Sequence, residues 1–133
     1  MTDEITNPPI TDSIPATAHI TIDDYAKVEI KIGQILQAEI VENADKLLKL
    51  TVDFGETEPR TIVSGIRKFY PNPDALINIK CAFCTNLKPR QLKGLTSNGM
   101  ILAASSAPIS EQDTQHFSLL SVSADIPVGT KIK

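Results

Sequence analysis

The chain has 133 residues, 41% hydrophobic and 22% charged, with a formal net charge of −3. That length suits one domain with a single core rather than two, and the composition is that of a globular protein. No apolar run approaches the ~20 residues of a membrane-spanning helix. The acidic opening MTDEITNPPITDSIPATAH lacks the basic-then-apolar pattern of a secretory signal, so the expected location is cytoplasmic. Two cysteines are too few for a disulfide scaffold, in keeping with a reducing compartment.

The charge is unevenly spread. Residues 1–59 hold four lysines against twelve acids, a net −8. Residues 60–94 hold Arg60, Arg67, Lys68, Lys80, Lys88, Arg90 and Lys93 against Asp74 alone, a net +6. Residues 95–133 carry two lysines and three acids, a net −1. Screening limits electrostatic reach to about 8 Å at physiological salt, so a basic middle third can serve a polyanion on a chain that is acidic in total.

In chain order, residues 1–19 are rich in Thr, Pro and Ala without periodicity and read as a flexible tether; residues 20–133 read as one domain. TIDDYAKV suggests a short helix capped by Asp23, with Tyr25, Ala26 and Val28 as its apolar face. From Val28 the period becomes two. Val28, Ile30, Ile32, Leu36, Ala38 and Ile40 share one parity, and Gly33 lies within the run, where it permits a bulge or bend. LLKLTVDFG alternates again, with Leu48, Leu50, Val52 and Phe54 directed one way. After the turn GETEP, RTIVSGI forms a third strand; NPDALI is one helical turn opened by Asn72 or Pro73. LINIKCAFCTN is a fourth strand with Ile77, Ile79, Cys81 and Phe83 inward, GMILAAS a fifth, and FSLLSVSADIPVGTKIK adds one or two more. A long alternating strand with a glycine bend, followed by short strands and turns, is how a sheet curls into a small barrel. The expected fold class is all-β: an OB-fold five-stranded barrel with a short N-terminal helix, a short helix between strands 3 and 4, and a C-terminal strand extension.

Catalytic and metal chemistry find little footing. Cys81 and Cys84 in CAFC fall on opposite faces of a strand, and only His19 and His116 could complete a zinc set. Neither thiol is expected at a helix N-terminus, where its pKa would drop, so both read as buried or half-buried cysteines. Ser64 in VSGI lacks the flanking glycine of a nucleophile elbow, and no phosphate loop, dinucleotide fingerprint or HExxH motif is present. Neither an enzyme activity, a metal nor a cofactor is expected of this chain.

Phosphate-facing residues are the better prospect. In NLKPRQLKGLTSNGM, Lys88, Arg90 and Lys93 occupy a segment stiffened by Pro89. Lysine offers a phosphate a point charge and Arg90 a planar fork. Asn86, Ser97 and Asn98 can reach ribose hydroxyls or bases, and Gly94 and Gly99 let backbone approach a bulky ligand. Arg60, Arg67 and Lys68 extend the basic set. An ordinary hairpin loop with solubilising lysines has the same composition, and that alternative stays open here. Single-strand binders rely on exposed aromatics for stacking. This chain has no Trp; Phe54 and Phe83 fall on core parities, and Phe69 and Tyr70 can pack under the short helix. The shortage favours a folded RNA held by shape and phosphates.

The blocks YAKVEIKIGQI, ENADKLLKLTVDFG, RTIVSGIRKFYPNPDALI and NLKPRQLKGLTSNGMILAAS, in that order, resemble the tRNA-binding domain at the C-terminus of many bacterial methionyl-tRNA synthetases and of stand-alone structure-specific tRNA-binding proteins. The likeness runs from about Tyr25 to Lys133. It implies an OB-fold that binds tRNA by overall shape, a homodimer in the bacterial synthetase form, and a synthetase catalytic body in the same or a separate chain as partner. On matching positions it implies that Asn86, Arg90, Ser97 and Met100 face tRNA, with Lys88 and Lys93 as electrostatic support. Gln91 stands where the family has a basic residue and Asn98 where it has an acid, a near-neutral exchange. The synthetase's HIGH-type and KMSKS-type signatures are absent. A small secretion-related chaperone is similar in the same blocks, so a chaperone-like or protein-interaction OB module is the alternative. A general single-strand binder is a third reading, which the aromatic shortage disfavours.

Overall fold

The computed structural model describes residues 18–106 and 116–133; the tether, apart from residues 18 and 19, lies outside them. Strand β1 (Ile30–Ile40) is the longest element because its partners change along it. Its first half pairs antiparallel with β4 (Lys80–Cys84) and its second half with β2 (Leu48–Asp53). β3 (Arg60–Ser64) flanks β2 and β7 (Met100–Ile101) flanks β4, giving the order β3-β2-β1-β4-β7. The Asn98 N–H donates to the Thr61 carbonyl at 2.8 Å, tying the two edges into a nearly closed antiparallel barrel, the OB-like architecture expected.

Two ribbons are appended. The hairpin β5 (Arg90–Leu92) and β6 (Leu95–Ser97) lies between β4 and β7, and β8 (Ala103–Ser105) pairs with β9 (Phe117–Leu119). GMILAAS is therefore two strands rather than one: β7 runs along β4, whereas β8 departs to join β9. The tail supplies the C-terminal extension. Ile32 N–H donates to Thr130 O at 2.9 Å and Ile132 N–H to Ile30 O at 2.8 Å, so residues 129–132 lie beside the first half of β1.

β2 follows its alternation, with Leu48, Leu50, Val52 and the following Phe54 all buried. β1 does not. Its register jumps between Ile35↔Val52 and Gln37↔Thr51, making Leu36 the extra residue of a bulge. A bulge exchanges the two faces, so Ile35 before it and Ala38 after it both enter the central cluster and Leu36 is extruded, while Ile40, on the parity of Ala38, is exposed at the strand's end. Only Ala38 of the expected inward set joins that cluster; Ile32 is buried outside it. The bulge thus falls beyond Gly33 rather than at it. That glycine has a different use: a Cβ there would lie 2.6 Å from both Phe54 Cε1 and Val52 Cγ1.

The helix α1 (Ile22–Tyr25) is capped by Thr21, not Asp23: the Thr21 hydroxyl accepts from Asp24 N–H at 3.1 Å and the Asp24 carboxylate accepts from Thr21 N–H at 3.3 Å. Its expected apolar face is turned outward, with Tyr25 40% and Val28 43% exposed. The turn between β3 and β4 is a 3₁₀ helix (Pro73–Leu76) opened by Asn72 and anchored by fully buried Leu76, preceded by an unanticipated 3₁₀ turn (Arg67–Phe69).

Alanine at an interior strand position normally stabilises relative to glycine, but Gly33→Ala reverses the sign. Overpacking against Val52 and Phe54 should cost about 1–3 kcal/mol, read as a lower urea midpoint with an unchanged m-value.

Candidate nucleic-acid interface

The segment expected to meet phosphate is a two-residue hairpin. Leu92 pairs with Leu95, and Lys93 (φ 52°) and Gly94 (φ 81°) both take positive φ, as in a type I′ turn. Gln91 Nε2 donates to Thr96 Oγ1 at 2.7 Å across the ribbon. Lys88, Arg90 and Lys93 are exposed, and none has an ion-pair partner among the described residues. The hairpin reading and the cation reading thus coincide: a rigid ribbon carries three uncommitted charges.

Ser97, expected to face RNA, is 1% exposed. Its hydroxyl accepts from Val63 N–H at 2.9 Å and donates to the Gly99 carbonyl at 3.2 Å. The hydroxyl is thus engaged within the fold, pinning the base of the hairpin to β3. Asn86 is likewise occupied. Its Oδ1 accepts from Glu29 N–H at 2.9 Å and its Nδ2 donates to Lys27 O at 2.6 Å, clipping the hairpin's first arm to the segment after α1. Asn98 is half-buried at the barrel seam, and Met100 is 42% exposed on β7.

The remaining cations divide. Arg60 is committed to a bidentate pair with Glu56 (2.9 and 2.7 Å) and donates to Thr85 O at 2.7 Å; it braces the barrel end. Lys80 donates to Ala124 O and Ile126 O, both at 2.7 Å, and holds the tail. Arg67 and Lys68 flank the loop between β1 and β2: Arg67 Nη1 donates to Ala44 O at 3.5 Å, and Asp45, Arg67, Lys68 and Pro71 line one cleft. On the other side of that loop, residues 43–47 face Gln91, Leu92 and Lys93 across a groove. Lys46 therefore joins Arg67, Lys68 and Lys93 around one loop. Charge counting passes over Lys46 because it lies in the acidic segment 1–59; the only signal for it in the sequence is its place in the block ENADKLLKLTVDFG.

Beside the seam runs a second polar network. Thr85, 4% exposed, donates to Glu29 Oε1 at 2.6 Å, and this bond, with the nearby Lys31 and Lys131 charges, holds the Glu29 carboxyl below the ordinary carboxylate range. Arg60 does the same for Glu56. Cys81 and Cys84 occupy opposite faces of β4 as read, and both are buried. Burial pushes the Cys81 thiol up to about 11, so it stays protonated and unreactive near neutral pH. Phe69 stacks on Phe117 at 3.8 Å while Lys68 covers the ring at 5.3 Å; the aromatic is spent on packing against β9 rather than left free for a base. No group of three or more metal-ligating side chains occurs among the described residues, and no helix there is long and apolar enough to cross a membrane.

Residues 30–131 match the family model described as "Putative tRNA binding domain". The chain belongs to that family. It is 48% identical over 114 residues to a methionine–tRNA ligase of Deinococcus radiodurans and 48% identical over 119 residues to methionine–tRNA ligase 1 of Bacillus anthracis, covering 86% and 90% of this chain. It spans only 16% and 17% of those relatives' lengths. Among solved structures, a MetRS-related protein from Pyrococcus horikoshii superposes with TM-score 0.74 at 36% identity, covering 86% of this chain and 98% of that one. The chaperone CsaA from Bacillus anthracis superposes with TM-score 0.71 at 26% identity, covering 87% and 100%. The tRNA-binding domain is a binding module, not an enzyme.

Ser97→Ala leaves the Val63 N–H buried without a partner, a loss of about 1–3 kcal/mol. Thermal and urea unfolding should both report it, with hydrogen exchange accelerated across β5 and β6 before the rest of the barrel.

Proposed function

We propose that this tRNA-binding domain grips folded tRNA through the β5–β6 ribbon, with Lys88, Arg90 and Lys93 on the phosphates and Lys46, Arg67 and Lys68 extending the contact around the β1–β2 loop. The observation that carries the reading is that three hairpin cations are exposed and unpaired on a ribbon pinned by buried Ser97, whereas Arg60 and Lys80 are committed internally. A ribbon whose backbone is already held loses little conformational entropy of its own on docking. Asn98 and Met100, beside the ribbon, complete the contact surface; Asn86 acts by holding the ribbon's first arm. The domain adds affinity to a methionyl-tRNA synthetase catalytic body, in the same or a separate chain, and the identity to methionine–tRNA ligases supports that partner. The setting is the cytoplasm, where translation takes place.

Changing Lys88, Arg90 and Lys93 together to Ala should abolish most tRNA binding in a gel shift while leaving the circular dichroism spectrum unchanged. The slope of log affinity against log salt should also flatten by about 0.7–0.9 for each phosphate that is no longer neutralised. Unchanged affinity in the triple variant would overturn the assignment. A chaperone-like role is the second reading, favoured by the superposition on CsaA; recovery of unfolded polypeptide but not tRNA in a pull-down would select it.

The homodimer is part of the same proposal. Tyr25, Val28 and Ile132 leave apolar surface exposed where α1 meets the tail, and a second copy is the occupant that the synthetase likeness supports. Sedimentation should give twice 14.4 kDa at micromolar concentration, and Val28→Glu with Ile132→Glu should return a folded monomer.

A further inference from the structure

Both feet of the hairpin are held by one side chain that is not in the hairpin. Arg60, the first residue of β3, donates from Nη1 to the Thr85 carbonyl at 2.7 Å, where β4 hands over to the first arm. The same nitrogen donates more weakly, at 3.4 Å, to the carbonyl of Asn98, directly after the second arm. Its Nε and Nη2 donate to the two carboxylate oxygens of Glu56 at 2.9 and 2.7 Å. The guanidinium also lies 5.2 Å from the centroid of the Phe54 ring, which is buried and packed edge-on against Phe83. Glu56 and the ring thus fix the fork, and the fork fixes the separation of the two feet. Lysine cannot do the same, because an ammonium has three donors and no plane to match a carboxylate.

Each foot is closed in its own right. Thr85 is 4% exposed; its N–H donates to Glu29 O at 2.8 Å and its hydroxyl to Glu29 Oε1 at 2.6 Å, leaving the carbonyl for Arg60. Asn98 N–H is spent on Thr61 O. From there the ribbon acts as a lever. At ~3.3 Å per residue the stretch from Asn98 to Gly94 spans about 13 Å, so a tilt of about 10° at the feet carries the tip by about 2 Å. A displacement of that size separates a made charge-assisted hydrogen bond from a lost one. Arg60 itself has little charge to offer a phosphate, since its side chain is 16% exposed and paired with Glu56.

We propose that Arg60 and Glu56 are positioning residues for tRNA: a clamp that sets the angle of the β5–β6 ribbon, and so places Lys88, Arg90 and Lys93, without touching the RNA. The proposal rests on the ribbon being the tRNA contact, as argued above. It reverses two signs. Counted as charge alone, Glu56 opposes a polyanion and its removal strengthens binding, while a lysine at position 60 serves nearly as well as arginine. As a clamp, the Glu56 carboxylate favours binding because it holds the fork, and a lysine at position 60 keeps the charge but releases the feet.

The test uses the full chain and folded tRNA, with affinity read by fluorescence anisotropy across a range of salt concentrations. Glu56→Gln should weaken binding about threefold or more and Arg60→Lys about tenfold. Both should keep the salt slope of the unaltered chain, because no phosphate contact is removed. Hydrogen exchange of the amides of residues 90–97 should accelerate in both free variants and slow again when tRNA binds. Glu56 lies at the surface, so Glu56→Gln keeps the question open to measurement even where Arg60→Lys does not fold. Tighter binding by Glu56→Gln, unchanged affinity in Arg60→Lys, or a salt slope reduced by about 0.7–0.9 in Arg60→Lys would overturn the clamp. The triple alanine variant of Lys88, Arg90 and Lys93 separates the two claims. If it loses tRNA while both clamp variants bind normally, only the clamp fails; if it binds tRNA normally, the ribbon is not the contact and the functional reading fails as well.

Discussion

The structure depends on the seam where the two edges of the barrel meet. β3 and the approach to β7 are joined by the Asn98–Thr61 bond and by a buried hydroxyl, Ser97, that serves β3 and Gly99 at once. There is room for this only because Gly99 adopts φ 132° with Ile62 Cδ1 3.1 Å and Cys84 O 3.2 Å from where a side chain would begin. An open sheet edge exposes unpaired backbone groups; closing it requires each polar atom in the joint to find a partner in little space. The hairpin grows directly out of that joint. Its rigidity, and hence the positions of Lys88, Arg90 and Lys93, follows from the closure of the barrel rather than from the ribbon's own three-residue strands.

How an anionic chain can serve a polyanion follows from which charges are already in use. Glu29 and Glu56 are paired with Lys31 and Arg60 at the barrel end, and Lys49 and Lys27 with Glu39 and Asp24. These pairs are locally neutral. What projects beyond them around the hairpin and the β1–β2 loop is mainly positive, with Lys46, Lys88, Arg90 and Lys93 set against Glu42 and Asp45. With screening over about 8 Å, a phosphate approaching that region responds to the uncommitted lysines and arginines and hardly at all to acids elsewhere on the chain.

Periodicity makes much of the fold legible. β2 alternates without interruption, and its burial follows residue by residue; the 3₁₀ turn at Pro73 has both its cap and its proline in the sequence. β1 departs from its apparent parity because a bulge inserts one residue and exchanges the faces, and nothing in IKIGQILQAEI distinguishes Leu36 from Ile35 as the residue to be extruded. That choice is made by β2 and β4, which pair with different halves of the strand. The site is legible in its charges and less so in its small polar residues. Ser97 and Asn86 look alike as short hydrogen-bonding groups in a basic segment; only the three-dimensional neighbours, Val63 for one and Lys27 and Glu29 for the other, reveal that both are spent on holding the ribbon. Lys46 is hidden for the opposite reason, since its cationic neighbours come from residues 67, 68 and 93 and share no sequence window with it.

In the proposed tRNA contact, positioning and discrimination would have different structural sources. Phosphate contacts from exposed lysines are alike for any RNA of the right outline, and they position without specifying. Discrimination requires atoms that can be left unsatisfied by the wrong partner, and such atoms must be fixed before binding. The exposed cations at Lys88 and Arg90 lack that fixity at their tips. The groove walls possess it, since one is a loop carrying the Ala44 carbonyl held by Arg67 and the other is a ribbon locked by the Gln91–Thr96 bond and the Ser97 hydroxyl. Rigid backbone on two sides of an amphipathic groove is the arrangement that can penalise a misfit, and the same buried seam that closes the barrel sets the distance between those two sides.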